Sequence, residues 1–401
     1  MKKYFLLFLM CFSVLLCKSQ EYRFVFQDIY PKDIEVGAER TNAYLSLLQG
    51  NKVALCANHT SMVGNTHLLD MLLSHRIDVV KIFTPEHGFR GQGEAGEKIN
   101  HSIDEKTKIP IVSLYGNNKK PTPEQMKGID IVVFDIQDVG ARFYTYISTL
   151  HYIMEAAAEN GVKVLVLDRP NPNGFWVDGP VLDTAYRSFV GMHPVPIAHG
   201  MTVGEYAKMI NGEGWLAGGK RCELAVVAVF GYAHLFRYQL PIHPSPNLSS
   251  MEAVYLYPTL CLFEGTAMSI GRGTDKPFRI LGHPNFREGN ITFTPKNLPG
   301  IATNPPHVGK QCKGVDLTDM ASIIMKNNNF ININLIIEAY KEFPQKDKFF
   351  TSFFDKLAGT KTLREQIIAG KTAEEIRQSW QKELNEFKKI RAKYLLYTDF
   401  E

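Results

Sequence analysis

The segment TPEHGFRGQGEAGE, residues 84–97, concentrates three carboxylates, a histidine and four glycines in fourteen residues. Glu86 follows an apolar, strand-like run and lies between Phe83 and Phe89 in sequence. Partial desolvation raises the pKa of a carboxyl group toward neutrality, as a general acid requires. The spacing therefore favours Glu86 as an acid catalyst. The alternative is a loop carboxylate that is satisfied by local amides or by Arg90.

The same segment contains Gly91-x-Gly93-x-x-Gly96, which matches the dinucleotide-binding fingerprint. A true fingerprint opens a helix whose N-terminus binds the pyrophosphate. The residues after Gly96 show no amphipathic pattern before the next apolar run, and Glu94 and Glu97 would repel phosphates. We therefore expect no nucleotide at this segment.

Metal and serine chemistry have weaker support. Glu86 and His87 are adjacent, so they would point apart at a strand end, and no HExxH pattern is present. Convergence of His59, His87 and Asp135 from different strands stays open as a minor alternative. The sequence also lacks the GxSxG elbow of serine hydrolases and any CxxC pair. We expect no metal site.

Apolar, β-branched runs alternate with helical patterns through the first 230 residues. This alternation predicts a Rossmann-like α/β domain with a mainly parallel sheet that is covered on both faces. The predicted strands span residues 52–60, 79–88, 109–116, 129–140, 163–171 and 222–229, and the predicted helices span residues 62–75, 145–160 and 202–215.

The pattern changes after residue 245, where shorter strand-like pieces and a helical C-terminal third follow. We predict a Rossmann-like domain at residues 20–245 and a smaller α+β domain at residues 246–401; the family resemblance described below implies that the first is catalytic and that the second is an auxiliary domain that closes the cleft. The capping box Thr372-x-x-Glu375 predicts the start of one long helix. Its apolar stripe is formed by Ile376, Trp380, Leu384, Phe387 and Ile390.

The first 19 residues have the composition of a signal peptide, with Lys2 and Lys3 before a short apolar run. Cleavage before Gln20 predicts an exported, periplasmic protein, and Cys17 leaves a lipid anchor open although Leu16 is bulky for that signal. The apolar run is too short to favour a membrane-spanning helix. The formal net charge of +4 falls by three lysines to +1 after cleavage, so nothing indicates nucleic acid as a partner.

Polar residues follow five consecutive predicted strands, at the edge where an open α/β sheet binds its ligands. For each one alone, a helix cap or a loop hydrogen bond is an equal alternative. These residues are Asn58, His59, Glu86, His87, Tyr115, Asp135, Gln137, Asp138, Arg142, Tyr144, Asp168, Arg169 and Asn171.

Eight blocks occur in a fixed order: ANHTS, FTPEHGFRGQGEAGE, SLYG, VVFDIQDVGARFYTYISTL, VLDRPNPNG, HGMTVGE, PSPNL and LFEGTAMSIGRGTDKPF. Together they resemble the NamZ-type exo-β-N-acetylmuramidases, bacterial enzymes that cleave terminal N-acetylmuramic acid from the non-reducing ends of peptidoglycan fragments. The resemblance runs from about residue 53 to the C-terminus. It implies a Rossmann-like catalytic domain, an auxiliary C-terminal domain, a cleft between them, glycan fragments of muramic acid and glucosamine as partners, and no cofactor.

The resemblance also implies site residues. It places the acid at Glu86 and leaves the second catalytic group open among His87, Asp135 and Glu264, with the substrate's own acetamido oxygen as a further alternative. The residues implied near the cleft are Gln137, Asp138, Arg142, Tyr144, Tyr146, Asn247, Arg272 and Thr274.

Muramic acid differs from glucosamine by a lactyl ether that carries a carboxylate, so its recognition calls for a guanidinium. Arg142 and Arg272 are the two candidates, and a salt bridge to Asp138 or Asp275 is the alternative for each. Two other functions stay open: a non-catalytic muropeptide-binding protein, and a metal-dependent hydrolase or deacetylase of cell-wall sugars. The stereochemical course, the peptide-stem tolerance, the disulfide state and the oligomeric state do not follow from the sequence.

Overall fold

The structure of the protein is a computed structural model that describes residues 33–86, 88–89, 102–287, 289–327 and 331–400. Its strands are β1 Lys52–Ala57, β2 Met62–Val63, β3 Thr66–His67, β4 Asp78–Thr84, β5 Ser102–Ile103, β6 Pro110–Ser113, β7 Ile131–Asp135, β8 Lys163–Leu167, β9 Leu224–Val227, β10 Ile280–His283, β11 Ile291–Phe293 and β12 Cys312–Asp316. Its α-helices are Leu45–Leu48, Leu68–Ser74, Pro123–Met126, Tyr146–Asn160, Val203–Gly212, Met251–Leu260, Thr318–Asn327, Ile333–Glu342, Phe353–Ala358, Thr362–Ile368, Ala373–Ser379 and Gln381–Ala392.

Seven strands form one sheet in the order β5-β6-β4-β1-β7-β8-β9. All neighbouring pairs are parallel except β5 with β6, so the predicted α/β class with a mainly parallel sheet is confirmed. From β1 the chain continues to β4 on one side, whereas β7, β8 and β9 follow on the other side. The strand order therefore reverses between β1 and β7, which is the position where such sheets form a ligand crevice.

Successive side chains of a strand point to opposite faces of the sheet. A strand that is apolar at every position therefore packs against apolar residues on both faces. In β1, Ala54 and Cys56 pack into one apolar cluster, and Val53 and Leu55 pack into a second one. The first cluster is covered by the helix Tyr146–Asn160, which ends at the left-handed Gly161 as the sequence predicts.

Two predicted helices are wrong in part. Residues 62–67 form a hairpin of β2 and β3 around the two-residue turn Gly64-Asn65, with Gly64 at a φ of +54°, and helix begins only at Leu68. The predicted long C-terminal helix is divided at Trp380 into Ala373–Ser379 and Gln381–Ala392. The hydroxyl of Ser379 donates to the carbonyl of Ile376 at 2.6 Å, a bond that competes with the helical ladder at this point.

The C-terminal region holds the small antiparallel sheet β10-β12-β11 and most of the shorter helices. Its apolar residues, such as Phe263, Ile336 and Phe387, belong to the same cluster as one face of the large sheet. The division at residue 245 stays a prediction, and the two regions share a continuous apolar core around it.

The last residues of the chain return to the large sheet. The Tyr397 hydroxyl donates to the Asp168 carboxylate at 2.5 Å, and the Leu396 amide donates to the Glu205 carboxylate at 2.8 Å. Asp168 also accepts from Thr202 and Gly204, next to the N-terminus of the helix Val203–Gly212. Burial raises the pKa of Asp168 to about 6. This aspartate therefore ties the C-terminal segment to the sheet and has no exposed face for a substrate.

Candidate active site

Glu86 lies two residues after the end of β4, on the wall of a cleft between the large sheet and the C-terminal region. The Thr145 hydroxyl donates to Glu86 Oε2 at 3.2 Å. Thr145 directly precedes the helix Tyr146–Asn160, yet its hydroxyl makes no capping bond to that helix. A threonine at this position normally caps the helix. Here its hydroxyl orients the carboxylate instead.

Two tyrosines next to Thr145 form one side of the cleft. The Tyr144 hydroxyl donates to the carbonyl of Pro244 at 2.9 Å, and the Tyr146 hydroxyl does so at 3.4 Å. Their rings meet edge to face with centroids 4.8 Å apart. Burial raises the pKa of Tyr146, and the neighbouring Glu86 raises it further. Both phenols therefore stay protonated, and they hold the segment of residues 238–248 against the cleft.

Asn247 belongs to that segment and also lines the cleft. Its Nδ2 donates to the carbonyl of Ile301 at 2.7 Å, which fixes the orientation of the amide. Its Oδ1 is buried and has no partner among the residues that the structure describes. An unpaired buried acceptor costs free energy, so this oxygen is suited to receive a donor from a bound ligand.

Arg272 enters the cleft from a loop of the C-terminal region. Its Nε and Nη2 lie 2.8 and 2.6 Å from Glu264 Oε1, so the ion pair forms with Glu264 and not with the sequence-adjacent alternative Asp275. Burial lowers the pKa of the Arg272 guanidinium, but Glu264 outweighs that effect and the net shift is upward. About a quarter of each side chain is exposed, so this fixed positive charge faces the cleft.

The backbone around Arg272 is tightly constrained. Gly271 and Gly273 have φ values of +79° and +80°, and a side chain at either would clash with main-chain atoms. Phe278 lines the cleft at a φ of +56°, a costly conformation for a large residue, and the guanidinium lies 5.1 Å from its ring centroid. This constrained backbone fixes the position of Arg272.

The loop after β1 contains two predicted binding residues, Asn58 and His59, that contact other parts of the chain and not the cleft. Asn58 is buried, and its Oδ1 accepts from both the amide and the hydroxyl of Thr60. His59 Nε2 lies 2.8 Å from the carbonyl of His243, so it also holds the segment of residues 238–248. These two predicted binding residues shape the walls, and neither lines the Glu86 cleft itself.

Arg142 requires a correction. It is fully buried, and its guanidinium donates to four main-chain carbonyls, those of Pro180, Val195, Leu357 and Ala358, at 2.7–2.9 Å. Burial lowers the pKa of its guanidinium to about 9. It contacts neither the cleft nor the alternative partner Asp138. Arg142 therefore joins the two regions of the chain and cannot read a lactyl carboxylate without leaving four carbonyls unpaired.

Asp135 is also removed from the catalytic candidates. Its carboxylate is fully buried and receives two bonds from Arg169, at 2.5 and 2.9 Å. A bidentate pair of this kind holds both oxygens. Among the candidates for a second catalytic group, Glu264 remains beside the cleft. His87 lies outside the described residues, as do Arg90 and the glycines of the 91–96 pattern.

Asp138 and Gln137 follow β7 below the cleft. Asp138 Oδ1 accepts from the Gly140 amide at 2.7 Å, whereas Oδ2 is buried with no partner in the described part of the chain. Burial raises the pKa of Asp138 to about 7. The Gln137 amide donates to the carbonyls of Asp138 and Pro170, and its side chain lines a different cavity.

Three further predicted binding residues have local partners away from the Glu86 cleft. Asn171 is buried and donates to the carbonyl of Met201 at 2.9 Å, with its amide packed against Gly140. The Thr274 hydroxyl donates to the carbonyl of Gly271 at 2.7 Å and thereby closes the Arg272 loop. Tyr115 is half-buried after β6 and does not line the cleft.

Sequence reasoning missed part of the cleft lining. Thr145 precedes a helix and suggests a cap, the apolar and aromatic residues suggest core, and Ser245 carries no distinguishing signal. The lining residues that the sequence did not single out are Phe143, Thr145, Ser245, Leu248, Tyr257 and Phe278.

The Glu86 cleft is smaller than other cavities of the described residues. Its enclosed volume is about 70 Å³, whereas two other cavities measure about 390 and 500 Å³. The cleft brings together the carboxylate that follows β4, a guanidinium and aromatic walls. Within the same residues, no group of three or more potential ligands could hold a metal ion, and no helix is long and apolar enough to cross a membrane. The cysteines at 56, 222, 261 and 312 are buried and unpaired.

Comparison with known proteins gives consistent matches. The family model for the N-terminal part of exo-β-N-acetylmuramidase NamZ matches residues 53–252, and the model for its C-terminal part matches residues 255–397. The chain is 41% identical over 376 residues to the peptidoglycan β-N-acetylmuramidase NamZ of Bacillus subtilis (strain 168), with 88% of this chain and 89% of that protein covered.

Two crystal structures of DUF1343 family proteins from Bacteroides fragilis NCTC 9343 have the same fold. The first is 48% identical with a TM-score of 0.84, and it covers 92% of this chain and 100% of its own. The second is 30% identical with a TM-score of 0.79, and it covers 91% of this chain and 99% of its own.

Proposed function

The chain belongs to the exo-β-N-acetylmuramidase NamZ family, and we propose that it hydrolyses the bond of terminal N-acetylmuramic acid at the non-reducing ends of peptidoglycan fragments. One observation carries the assignment of the reacting group. Glu86 is the carboxylate that lines the cleft among the described residues, and Thr145 holds its Oε2. Arg272 stands in the same cleft as a fixed positive charge.

In this mechanism Glu86 protonates the glycosidic oxygen while the bond from that oxygen to the anomeric carbon breaks. The departing sugar leaves with the proton as a neutral alcohol. Water then supplies hydroxide to the anomeric carbon and returns a proton to Glu86. Arg272 binds the lactyl carboxylate, and Glu264 keeps the guanidinium oriented from behind.

The test is Glu86→Gln, assayed on the disaccharide of muramic acid and N-acetylglucosamine, because its sugar leaving group needs the proton. The amide keeps the size of the side chain and the acceptor for Thr145, but it has no proton to give. We expect kcat to fall by about a thousandfold. Glu338→Gln, an exposed carboxylate on a C-terminal helix, is the matched control and should keep wild-type turnover.

Three outcomes would contradict the proposal. Wild-type protein that binds the muramide without turnover would favour the muropeptide-binding alternative. Turnover that is abolished by a chelator would favour the metal-dependent alternative. Near wild-type turnover by Glu86→Gln would show that another residue is the general acid.

We propose further that the protein acts outside the cytoplasm, in the periplasm. The support is the basic start and the short apolar run of residues 1–19. Fractionation of the native host, followed by N-terminal sequencing, tests this proposal. A mature chain that begins at Gln20 supports export by simple cleavage, a lipid on Cys17 supports an anchored form, and an intact cytoplasmic chain contradicts both.

A further inference from the structure

A second cavity of about 390 Å³ lies where the order of the sheet reverses. Its walls include Thr60 after β1, Gln137 after β7 and Arg169 after β8. The crevice at such a reversal is where open α/β sheets bind ligands, because loops from neighbouring strands diverge there. The chemistry proposed for Glu86 does not use this cavity, which we name the switch-point cavity.

Arg169 provides the cavity with a fixed hydrogen-bond donor. Its side chain is 5% exposed, its Nε and Nη2 donate to the Asp135 carboxylate, and Nη2 also donates to the carbonyl of Met62. Nη1 makes no hydrogen bond within the described part of the chain. Because the bidentate pair with Asp135 fixes the plane of the guanidinium, Nη1 is already oriented to donate to an acceptor on a molecule in the cavity.

Glu39 provides the cavity with a carboxylate that forms no ion pair among the described residues. Its two oxygens accept the main-chain amides of Val36 and Gly64 at 3.0 and 3.3 Å. Arg169 lines the same cavity, but its charge is already matched by Asp135. These three ionised groups leave an excess of one negative charge, which favours a ligand with one positive charge.

Tyr238 adds an aromatic ring to these charged groups. It is half-buried on the wall of the cavity, and its hydroxyl makes no hydrogen bond to any residue that the structure describes. Burial raises the pKa of the Tyr238 phenol, Arg169 lowers it and Glu39 raises it, so both charged groups lie within electrostatic reach of this side chain. A carboxylate together with the face of an aromatic ring favours an ammonium group as the cation.

The remaining walls restrict what the ammonium is attached to. Apolar side chains line much of the cavity, and they are those of Ile34, Val36, Met62, Pro241 and Ile242. An amine that carries an aliphatic side chain covers these walls, whereas a small hydrated cation leaves them against water. The acceptor for Arg169 Nη1 must be neutral, because a carboxylate on the ligand would restore the excess of negative charge.

We propose that the switch-point cavity binds the amino terminus of a peptide whose first residue is aliphatic. Its ammonium contacts Glu39 and the ring of Tyr238, its first carbonyl accepts from Arg169 Nη1, and its side chain packs against the apolar walls. The site is separate from the Glu86 cleft, so this inference goes beyond the proposed hydrolysis and does not depend on it.

The experiment titrates wild-type protein with three ligands of nearly the same shape, and calorimetry measures each Kd. L-leucinamide reproduces a peptide amino terminus, L-leucine adds a carboxylate, and N-acetyl-L-leucinamide lacks the positive charge. We expect L-leucinamide to bind at least about tenfold more tightly than either of the others. Because an α-amino group loses its proton near pH 8, its affinity should fall about tenfold between about pH 6 and about pH 9.

Variants then locate the bound ligand. Glu39→Gln removes the charge and keeps the size of the side chain, and it should weaken L-leucinamide at least about tenfold. Tyr238→Ala removes the ring and should weaken it about tenfold, whereas Tyr238→Phe keeps the ring and should stay within about twofold of wild type. Tyr186→Ala, a half-buried tyrosine on another cavity, is the matched control and should leave the Kd unchanged. Circular dichroism shows that each variant is folded.

Three results would overturn the proposal. The first is no binding of L-leucinamide to wild-type protein, and the second is equal affinity for L-leucinamide and its acetylated form. The third is an unchanged Kd in both Glu39→Gln and Tyr238→Ala, which would place the ligand elsewhere. Equal affinity for L-leucine would replace the peptide terminus by a free amino acid and overturn the requirement for a neutral carbonyl. None of these measurements uses turnover, so failure of the proposed function would leave this test intact.

Discussion

Arg142 and Arg272 look alike in the sequence, because each lies in a glycine-containing block beside aromatic residues, but the structure uses them differently. Arg142 is fully buried and donates to main-chain carbonyls. Arg272 is about a quarter exposed and is held by the carboxylate of Glu264. A guanidinium whose two terminal nitrogens donate only to main-chain carbonyls joins elements together. One that is held from behind by a carboxylate keeps a face for a ligand.

The largest expected effect concerns the buried member of this pair. Arg142→Leu leaves four buried carbonyls without donors, and we expect the free energy of unfolding to fall by about 5 kcal/mol. Urea denaturation measures the loss. Arg364→Leu removes a half-buried bidentate pair with Asp355 and should cost about 1 kcal/mol. Equal midpoints for wild type and Arg142→Leu would show that the four bonds carry no stability.

Asp138 extends the comparison to a buried carboxyl group. Its folded pKa of about 7 lies above the ordinary value of 3.8, so its contribution to stability is complete below about pH 4 and is lost as the pH rises through 7. Asp138→Asn keeps the acceptor for Gly140 and has no charge to bury. The variant should therefore gain on the order of 4 kcal/mol relative to wild type between pH 4 and pH 8. Urea denaturation of both proteins at the two pH values tests this, and a difference that does not change with pH contradicts it.

The exposed member of the pair is tested through the substrate. Methyl esterification of the lactyl carboxylate removes its charge, and we expect wild-type kcat/KM on an aryl muramide to fall about a hundredfold as a result. Arg272→Ala should lose a similar factor on the acid, and it should no longer distinguish the acid from the ester. Arg272→Lys keeps the charge without the planar fork and should lie between the two. A variant that discriminates as strongly as wild type would assign lactyl recognition to another residue.

The sequence predicted the general architecture because periodicity and strand-end position are local properties. Glu86, Tyr144, Tyr146, Asn247 and Arg272 were all singled out from motifs, and the structure places them in one cleft. The mainly parallel sheet follows from apolar runs that alternate with helical patterns.

The roles of buried polar residues could not be predicted in the same way, because they depend on partners that are distant in sequence. Arg142 donates to the carbonyl of Ala358, which is 216 residues away. Asp135 pairs with Arg169 across neighbouring strands, and both sit in polar motifs that resemble site residues. Residue type alone does not show whether a charged group is already satisfied within the fold.

The smallest expected effect is the change in kcat on substitution of Thr145, whose hydroxyl contacts Glu86 directly. Thr145→Val removes the hydroxyl that donates to Glu86 and keeps the shape of the side chain, so the carboxylate loses its fixed orientation. We expect kcat on the disaccharide of muramic acid and N-acetylglucosamine to fall about tenfold with KM within about twofold, because substrate contacts are unchanged and only the proton transfer is misaligned. Thr145→Ser restores the hydroxyl and should recover most of kcat. If the serine variant is as slow as the valine variant, the methyl group and not the hydroxyl matters, and Thr145 only packs beside Glu86. If both variants keep wild-type kcat, the orientation of Glu86 is set by other contacts of the cleft.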